Sequence, residues 1–235
     1  MSGLIIDRSV ASDKLASVVI FASGRGSNLR VICESARLGK IPARIEAVVT
    51  NVPGSGANEV AREFDIPALE IDSKGKTRET HEAQVLAALG GLDCAKIDWL
   101  VLAGYMRLLS PSFIKHFWAE SLAAARIVNI HPSLLPSFPG VEGYGQALSY
   151  GVKLTGATVH LVGYGLDDGP IIAQRSLEIS GDETLEGLQS RGLELEHSLY
   201  TEALANLLKG HWQMSRGSRS EGRPRMVFRQ ENTGK

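Results

Sequence analysis

Two cysteines in 235 residues, Cys33 and Cys94, stand far apart and without CxxC spacing. That scarcity excludes a disulfide framework and a cysteine-based zinc site, and it suits a reducing compartment. Each is expected to be a small buried apolar side chain. The chain also lacks any continuous apolar run of the ~18 residues a spanning helix needs. Its opening, Met1-Ser2-Gly3-Leu4-Ile5-Ile6, meets charge at Asp7 and Arg8, unlike a secretory leader. Neither sign of charge is in excess: 25 basic and 26 acidic residues leave a net −1, which draws the chain to neither nucleic acid nor membrane. No histidine–carboxylate cluster has metal-ligand spacing, so no metal is expected. What remains is a soluble, cytoplasmic globular protein, long enough to bury a substantial core.

Strand-like and helix-like stretches alternate. Ala16 to Ala22, Ile45 to Thr50, Ala68 to Ile71, Trp99 to Ala103 and Arg126 to Ile130 are short runs, mostly β-branched, of the kind that form buried strands. Helices are expected from Asn28 to near Gly39, from Asn58 to Phe64 and from Thr77 to Leu89. Another should start at Ser110-Pro111, an N-cap followed by proline at the first helical position. This order predicts an α/β fold with a doubly wound, mostly parallel sheet. After Pro139-Gly140 the pattern changes. A short helix from Gly145 to Gly151 precedes two longer strands, Thr155 to Val162 and Ile171 to Ile179, expected to pair as an antiparallel C-terminal edge. Ser180 to Glu183 offers caps for a long helix ending near Leu208. Residues 1–16 are a variable lead-in, 17–212 a single domain, and 213–235 a tail expected to be a frayed terminus with one short edge strand.

Three segments carry chemistry. In Phe21-Ala22-Ser23-Gly24-Arg25-Gly26-Ser27-Asn28 a strand turns through glycines into a helix, the geometry that holds an anion on free backbone N–H groups. A dinucleotide loop is the rival, but the third glycine of G-x-G-x-x-G is replaced by Leu29. The second strand ends in Thr50-Asn51, without an acid to read a ribose 2′-hydroxyl, so one phosphomonoester fits better than NAD. Farther on, Asn129 and His131 alternate onto one face of a strand end in Ile127-Val128-Asn129-Ile130-His131-Pro132-Ser133-Leu134-Leu135-Pro136. An amide and an imidazole at this spacing can stabilise a developing oxyanion and handle a proton. A core strand with satisfied polar groups would look the same. The downstream pair Gly156-Ala157-Thr158-Val159-His160-Leu161-Val162 and Leu166-Asp167-Asp168-Gly169-Pro170 favours the catalytic alternative. His160 lies beside these groups as a second base or, preferably, a structural histidine.

Taken in order, these motifs resemble the glycinamide ribonucleotide formyltransferases, over roughly Val18 to Leu208. That family moves a formyl group from 10-formyltetrahydrofolate to an amine in purine synthesis. The resemblance implies a phosphate-binding half at about 17–105 and a folate and catalytic half at about 106–212. It implies that Asn129, His131 and Asp167 are catalytic, with a carboxylate favouring the cationic, donating imidazole. Gly26, Ser27 and Asn28 would hold the substrate phosphate, with Arg25 available to add charge. Glu196 and Pro132 would meet the ribose and glycinamide. Folate would lie against Tyr105, Met106, Leu109 and Leu166, its glutamate tail near Arg78 and Arg107, whose guanidinium fork matches a carboxylate. Leu108 is expected in the core. Tyr105 stands where phenylalanine is common, and Gly163-Tyr164-Gly165 implies a loose lid. Val141-Glu142-Gly143-Tyr144-Gly145 lacks the histidines and basic residues often found after Pro-Gly.

The expected partners are small molecules alone, with 10-formyltetrahydrofolate as co-substrate. Oligomeric state is left open, with a homodimer the preferred expectation. The alternatives are a formyltetrahydrofolate hydrolase, another formyl-folate transferase, or a folate- or nucleotide-binding regulator. A hydrolase should carry an N-terminal regulatory domain, and the ~27 residues after Leu208 are short for a tRNA-binding domain.

Overall fold

The computed structural model describes residues 15–91, 97–210, 212–216 and 224–228. Cys94 and nearly all of the lead-in lie outside the described residues. In chain order the first elements are β1 (Ala16–Ala22), α1 (Ser27–Arg37), β2 (Ala43–Thr50), α2 (Gly56–Glu63), β3 (Ala68–Glu70), α3 (Arg78–Gly91), β4 (Trp99–Leu102) and α4 (Pro111–His116). They are followed by β5 (Trp118–Ala119), β6 (Ala124–Ala125), β7 (Ile127–His131), α5 (Gly143–Tyr150), β8 (Leu154–Leu161), β9 (Ile171–Glu178), α6 (Leu185–Leu208), β10 (Trp212–Arg216) and β11 (Pro224–Phe228).

Seven strands form one sheet in the order β3-β2-β1-β4-β7-β8-β9. Pairing is parallel from β3 through β7 and antiparallel at β7–β8 and β8–β9. This is the α/β fold expected from the alternation of elements, with its antiparallel edge. The two-residue period of a strand sends β1 side chains to both faces. Val18, Ile20 and Ala22 enter a core with α1, α2 and α6, whereas Val19 and Phe21 enter a second core with α3 and α4. A sheet buried on both faces explains why its central strands are unbroken apolar runs.

Two polar anchors fix helices beneath the strand ends. Tyr200, fully buried on α6, places its hydroxyl 3.0 Å from the Leu102 carbonyl and 3.1 Å from that of Val128. The Ser110 hydroxyl caps α4 by accepting from the Phe113 N–H, while Ser110 N donates to buried Glu82 at 2.7 Å.

Three expectations need correction, and one small ladder was not foreseen. The cap of α6 is Thr184, which accepts from the Gly187 N–H. Ser180 to Glu183 instead makes a turn, with Glu183 paired to Arg191. Leu108 is 59% exposed rather than in the core, because the strand ends at Leu102 and the outgoing loop turns it to solvent. The two-residue strands β5 and β6, too short to leave a pattern, form a small antiparallel ladder. The stretch read as a tail with one edge strand supplies two, β10 and β11, paired antiparallel. Their apolar face, Trp212, Met214 and Met226, joins the α6 core, and the Trp212 indole donates to the Leu207 carbonyl at 2.9 Å.

Burial holds His81, His160 and His197 below the ordinary histidine value of 6.5. For His81 the cause is visible. Nε2 donates to the Ile71 carbonyl at 2.8 Å, so a second proton on the buried, unpartnered Nδ1 would have no acceptor. The unfolded chain therefore takes up protons first as pH falls. The stability these rings contribute is complete above about pH 6.5 and is lost as pH drops through their lowered values. Buried Glu196, raised from 4.5, acts in the opposite sense over the lower part of that range. Urea unfolding midpoints should decline between about pH 7 and pH 5, before ordinary carboxylates titrate. A flat profile there would contradict this account.

Candidate functional site

β7 ends at the crevice outside the carboxyl ends of the parallel strands, where ligands bind in open α/β sheets. Asn129 is the one residue of β7 that is only partly buried, and His131 is almost fully so. The His131 Nε2 lies 2.8 Å from the Phe138 carbonyl. A carbonyl only accepts, so Nε2 carries a hydrogen. Nδ1 then faces the Asp167 Oδ2 at 3.5 Å. The same Oδ2 accepts from the Gly140 N–H at 2.8 Å. One carboxylate thus joins the β8–β9 loop, the segment after Pro139 and the imidazole.

His160 stands opposite Asn129 across the β7–β8 ladder. Its Nδ1 donates to the Leu161 carbonyl at 2.8 Å, and burial keeps the ring neutral, so bare Nε2 can accept. The Asn129 Nδ2 sits 3.3 Å away and donates one N–H to it. This fixes the amide orientation and leaves the second N–H available to a ligand. His160 Nε2 also lies 3.8 Å from Asp167 Oδ1. Three residues around this site, Phe138, Glu142 and Asp167, have left-handed backbones, with φ of 51°, 58° and 50°. Such conformations in non-glycine residues cluster at functional sites.

The glycine loop expected to hold a phosphate leaves β1. Gly26 adopts φ 79° at the N-cap of α1, and no side chain caps the helix. A Cβ there would come within 3.0 Å of the Ala57 backbone, so both conformation and space select glycine. The helix start therefore keeps free N–H groups for an anion. Buried Asn28, on the first turn, donates Nδ2 to Glu196 Oε2 at 3.2 Å, while its Oδ1 has no partner. Tyr144 donates to the other Glu196 oxygen at 3.0 Å. Burial raises the Glu196 carboxyl, against the hydrogen bonds from Asn28 and Tyr144 and the field of nearby His131.

The sequence profile of the family described as Formyl transferase matches residues 16–204. The chain belongs to the formyl transferase family. A relative from Bacillus subtilis named phosphoribosylglycinamide formyltransferase is 38% identical over 189 residues, 80% of this chain and 93% of its own. The crystal structure of glycinamide ribonucleotide transformylase 1 from Symbiobacterium toebii superposes with a TM-score of 0.79 at 34% identity, covering 92% of this chain and 95% of that one. A formyltetrahydrofolate deformylase from Pseudomonas syringae is also similar, with a TM-score of 0.78 at 27% identity, covering 92% of this chain and 67% of that one.

In this formyl transferase His131 meets Asp167, Asn129 is joined to the same carboxylate through His160, and Asn28 meets Glu196. Pro132 follows His131, and its carbonyl is so close to the start of α5 that a Cβ on Gly143 would fall 2.4 Å from it. The stretch expected to line a pterin is stitched to the phosphate loop, because Met106 N donates to the Ser23 hydroxyl at 2.8 Å. Ser23 in turn bonds Asn51 at 2.5 Å. Met106 and Leu166 are 72% and 54% exposed, free to meet a flat ligand. Leu109 and Tyr105 lean instead on the α3/α4 core, Tyr105 edge-on to Phe21 at 5.3 Å, and burial pushes its hydroxyl up to about 12. The Arg107 guanidinium lies 3.4 Å from the Ser73 carbonyl, and Arg78 is exposed at the start of α3. The loop expected to be loose is tied down: Tyr164 stacks on Trp118 at 4.5 Å, and Gly165 N donates to Asp168 Oδ1 at 3.2 Å. Tyr144 and the Phe138 carbonyl were not legible as site groups beforehand. For Tyr144 the only hint was its place where basic residues are usual.

Proposed function

We propose that this formyl transferase moves the formyl group of 10-formyltetrahydrofolate to the amine of 5-phosphoribosylglycinamide, as in de novo purine synthesis. The observation that carries the reading is the cluster at the end of β7, where the His131 imidazole lies 3.5 Å from Asp167 and Asn129 is joined to the same carboxylate through His160. Formyl transfer needs no covalent enzyme nucleophile, because the substrate amine attacks the formyl carbon itself. A tetrahedral oxyanion forms, the amine gives up one proton, and the departing folate nitrogen gains one. Asn129 donates its uncommitted N–H to the oxyanion, oriented by His160. His131 stands beside it and serves the oxyanion through Nδ1, the ring nitrogen not committed to Phe138 and only in long contact with Asp167 at 3.5 Å. Asp167 keeps the imidazole aligned and gives the proton a route.

Gly26, Ser27 and Asn28 hold the phosphate, and Glu196 beside Pro132 holds the ribose and glycinamide. Folate lies against Met106, Leu166, Tyr105 and Leu109, with Arg107 and Arg78 toward its acidic tail. The reading needs no metal and takes the enzyme to be cytoplasmic with small molecules as its partners; oligomeric state stays open, with a homodimer preferred. A second reading, hydrolysis of the formyl-folate by water, is favoured by the likeness to the Pseudomonas syringae deformylase. The uncapped start of α1 and the Asn28–Glu196 pair favour an amine substrate with a phosphate.

Absorbance of the folate product, with and without glycinamide ribonucleotide, separates the two. Product only with the ribonucleotide supports transfer, whereas product in its absence means hydrolysis. In that assay Asn129→Ala should lower turnover at least a hundredfold, about what one oxyanion donor supplies. Near-normal turnover would remove Asn129 from its role.

A further inference from the structure

Tyr144 belongs to no motif, yet its surroundings are built around it. The side chain is 5% exposed. Its ring lies flush against α6 at Gly192, where a Cβ would fall 2.3 Å from the ring carbon bearing the hydroxyl. Gly192 and Glu196 are four residues apart and share a helix face. The missing side chain at Gly192 therefore opens the space that lets Tyr144 reach Glu196 one turn on. From the other side, Gly143 packs on the Pro132 carbonyl, so the start of α5 is set by the exit from the catalytic strand. The Tyr144 hydroxyl takes one oxygen of Glu196 at 3.0 Å and Asn28 takes the other at 3.2 Å. A carboxylate held at both oxygens has a fixed plane.

We propose that Tyr144, seated by Gly192, is a positioning residue that fixes the Glu196 carboxylate for the ribonucleotide's hydroxyl and amine groups, and so sets affinity for that substrate and not for folate. This rests on the assignment of Glu196 to the ribonucleotide made above. Tyr144 touches no reacting atom. It acts through Glu196, whose burial would otherwise weaken the ionised form, and its hydroxyl lowers the Glu196 carboxyl toward the ordinary range.

Steady-state kinetics on Tyr144→Phe and Gly192→Ala test this. Tyr144→Phe keeps the ring and removes only the hydroxyl. Its KM for glycinamide ribonucleotide should rise about tenfold or more, the worth of one hydrogen bond to a charged acceptor. KM for 10-formyltetrahydrofolate should not move, kcat should change little, and the acid limb of kcat/KM for the ribonucleotide should shift to higher pH. Gly192→Ala should reproduce the KM effect by displacing the ring, although alanine is the better helix former. Unchanged ribonucleotide KM in Tyr144→Phe, or an equal rise in both KM values, would overturn the proposal. Calorimetric titration of the ribonucleotide keeps the two ideas apart. A wild-type protein that binds it without formylating it contradicts the transferase reading, and Tyr144 is then judged on the dissociation constant. A wild-type protein that transfers formyl while Tyr144→Phe binds normally contradicts the role of Tyr144 alone.

Discussion

Asp167→Asn is expected to leave a folded protein whose turnover has dropped at least a hundredfold, the lower range for loss of a positioned acid–base partner. The substitution isolates charge from shape. Asparagine tolerates the left-handed backbone at this position, φ 50°, at least as well as aspartate. Its side-chain oxygen can still accept the Gly140 N–H. What it cannot do is present an anion to the His131 Nδ1, 3.5 Å away. With Nε2 committed to the Phe138 carbonyl, Nδ1 is then left without a charged partner. Folding should be unchanged by circular dichroism while kcat falls. Turnover within about tenfold of wild type would mean that the carboxylate is structural, since a positioned acid–base partner supplies more than that.

Gly169→Ala should do comparable damage without altering any group in the site. A Cβ at Gly169 would lie 1.8 Å from the Leu161 carbonyl oxygen and 2.6 Å from its carbon. Both are backbone atoms of β8, and no flexible side chain can move aside. The loop must lift from the strand, and Asp167 is two residues away. Overpacking of this kind costs about 1–3 kcal/mol. The urea midpoint should fall, and activity should drop even under conditions where the protein remains folded. Gly181→Ala is the control, because a Cβ there meets nothing within 4 Å. If Gly169→Ala keeps full activity, the close seat of this loop on β8 does not set the position of Asp167.

Much of this architecture is written in local pattern. Val18 to Ala22 declares a buried strand because both its faces are covered, so no polar residue interrupts it. Ser110-Pro111 marks a helix start because capping depends on residues three apart. Asn129 and His131 share a face by strand geometry alone. What stayed hidden depends on partners distant in the chain. The histidine at 160 orients Asn129 only because β7 and β8 pair in one register, and no local spacing encodes that register. Tyr144 needed the gap at Gly192, on a helix that begins 41 residues later at Leu185. The β10–β11 hairpin was obscured by the arginine, serine and glycine around it, although Trp212, Met214 and Met226 alternate inward as a strand requires. Leu108 looked like core by composition, but exposure follows the direction of a loop.

The hydrogen bond between Asn28 and Glu196 spans 168 residues of sequence. A ribosome will have released the whole phosphate loop and most of the sheet before the helix bearing Glu196 emerges. The Asn28–Glu196 bond therefore cannot form until that helix has followed the rest of the sheet out of the ribosome.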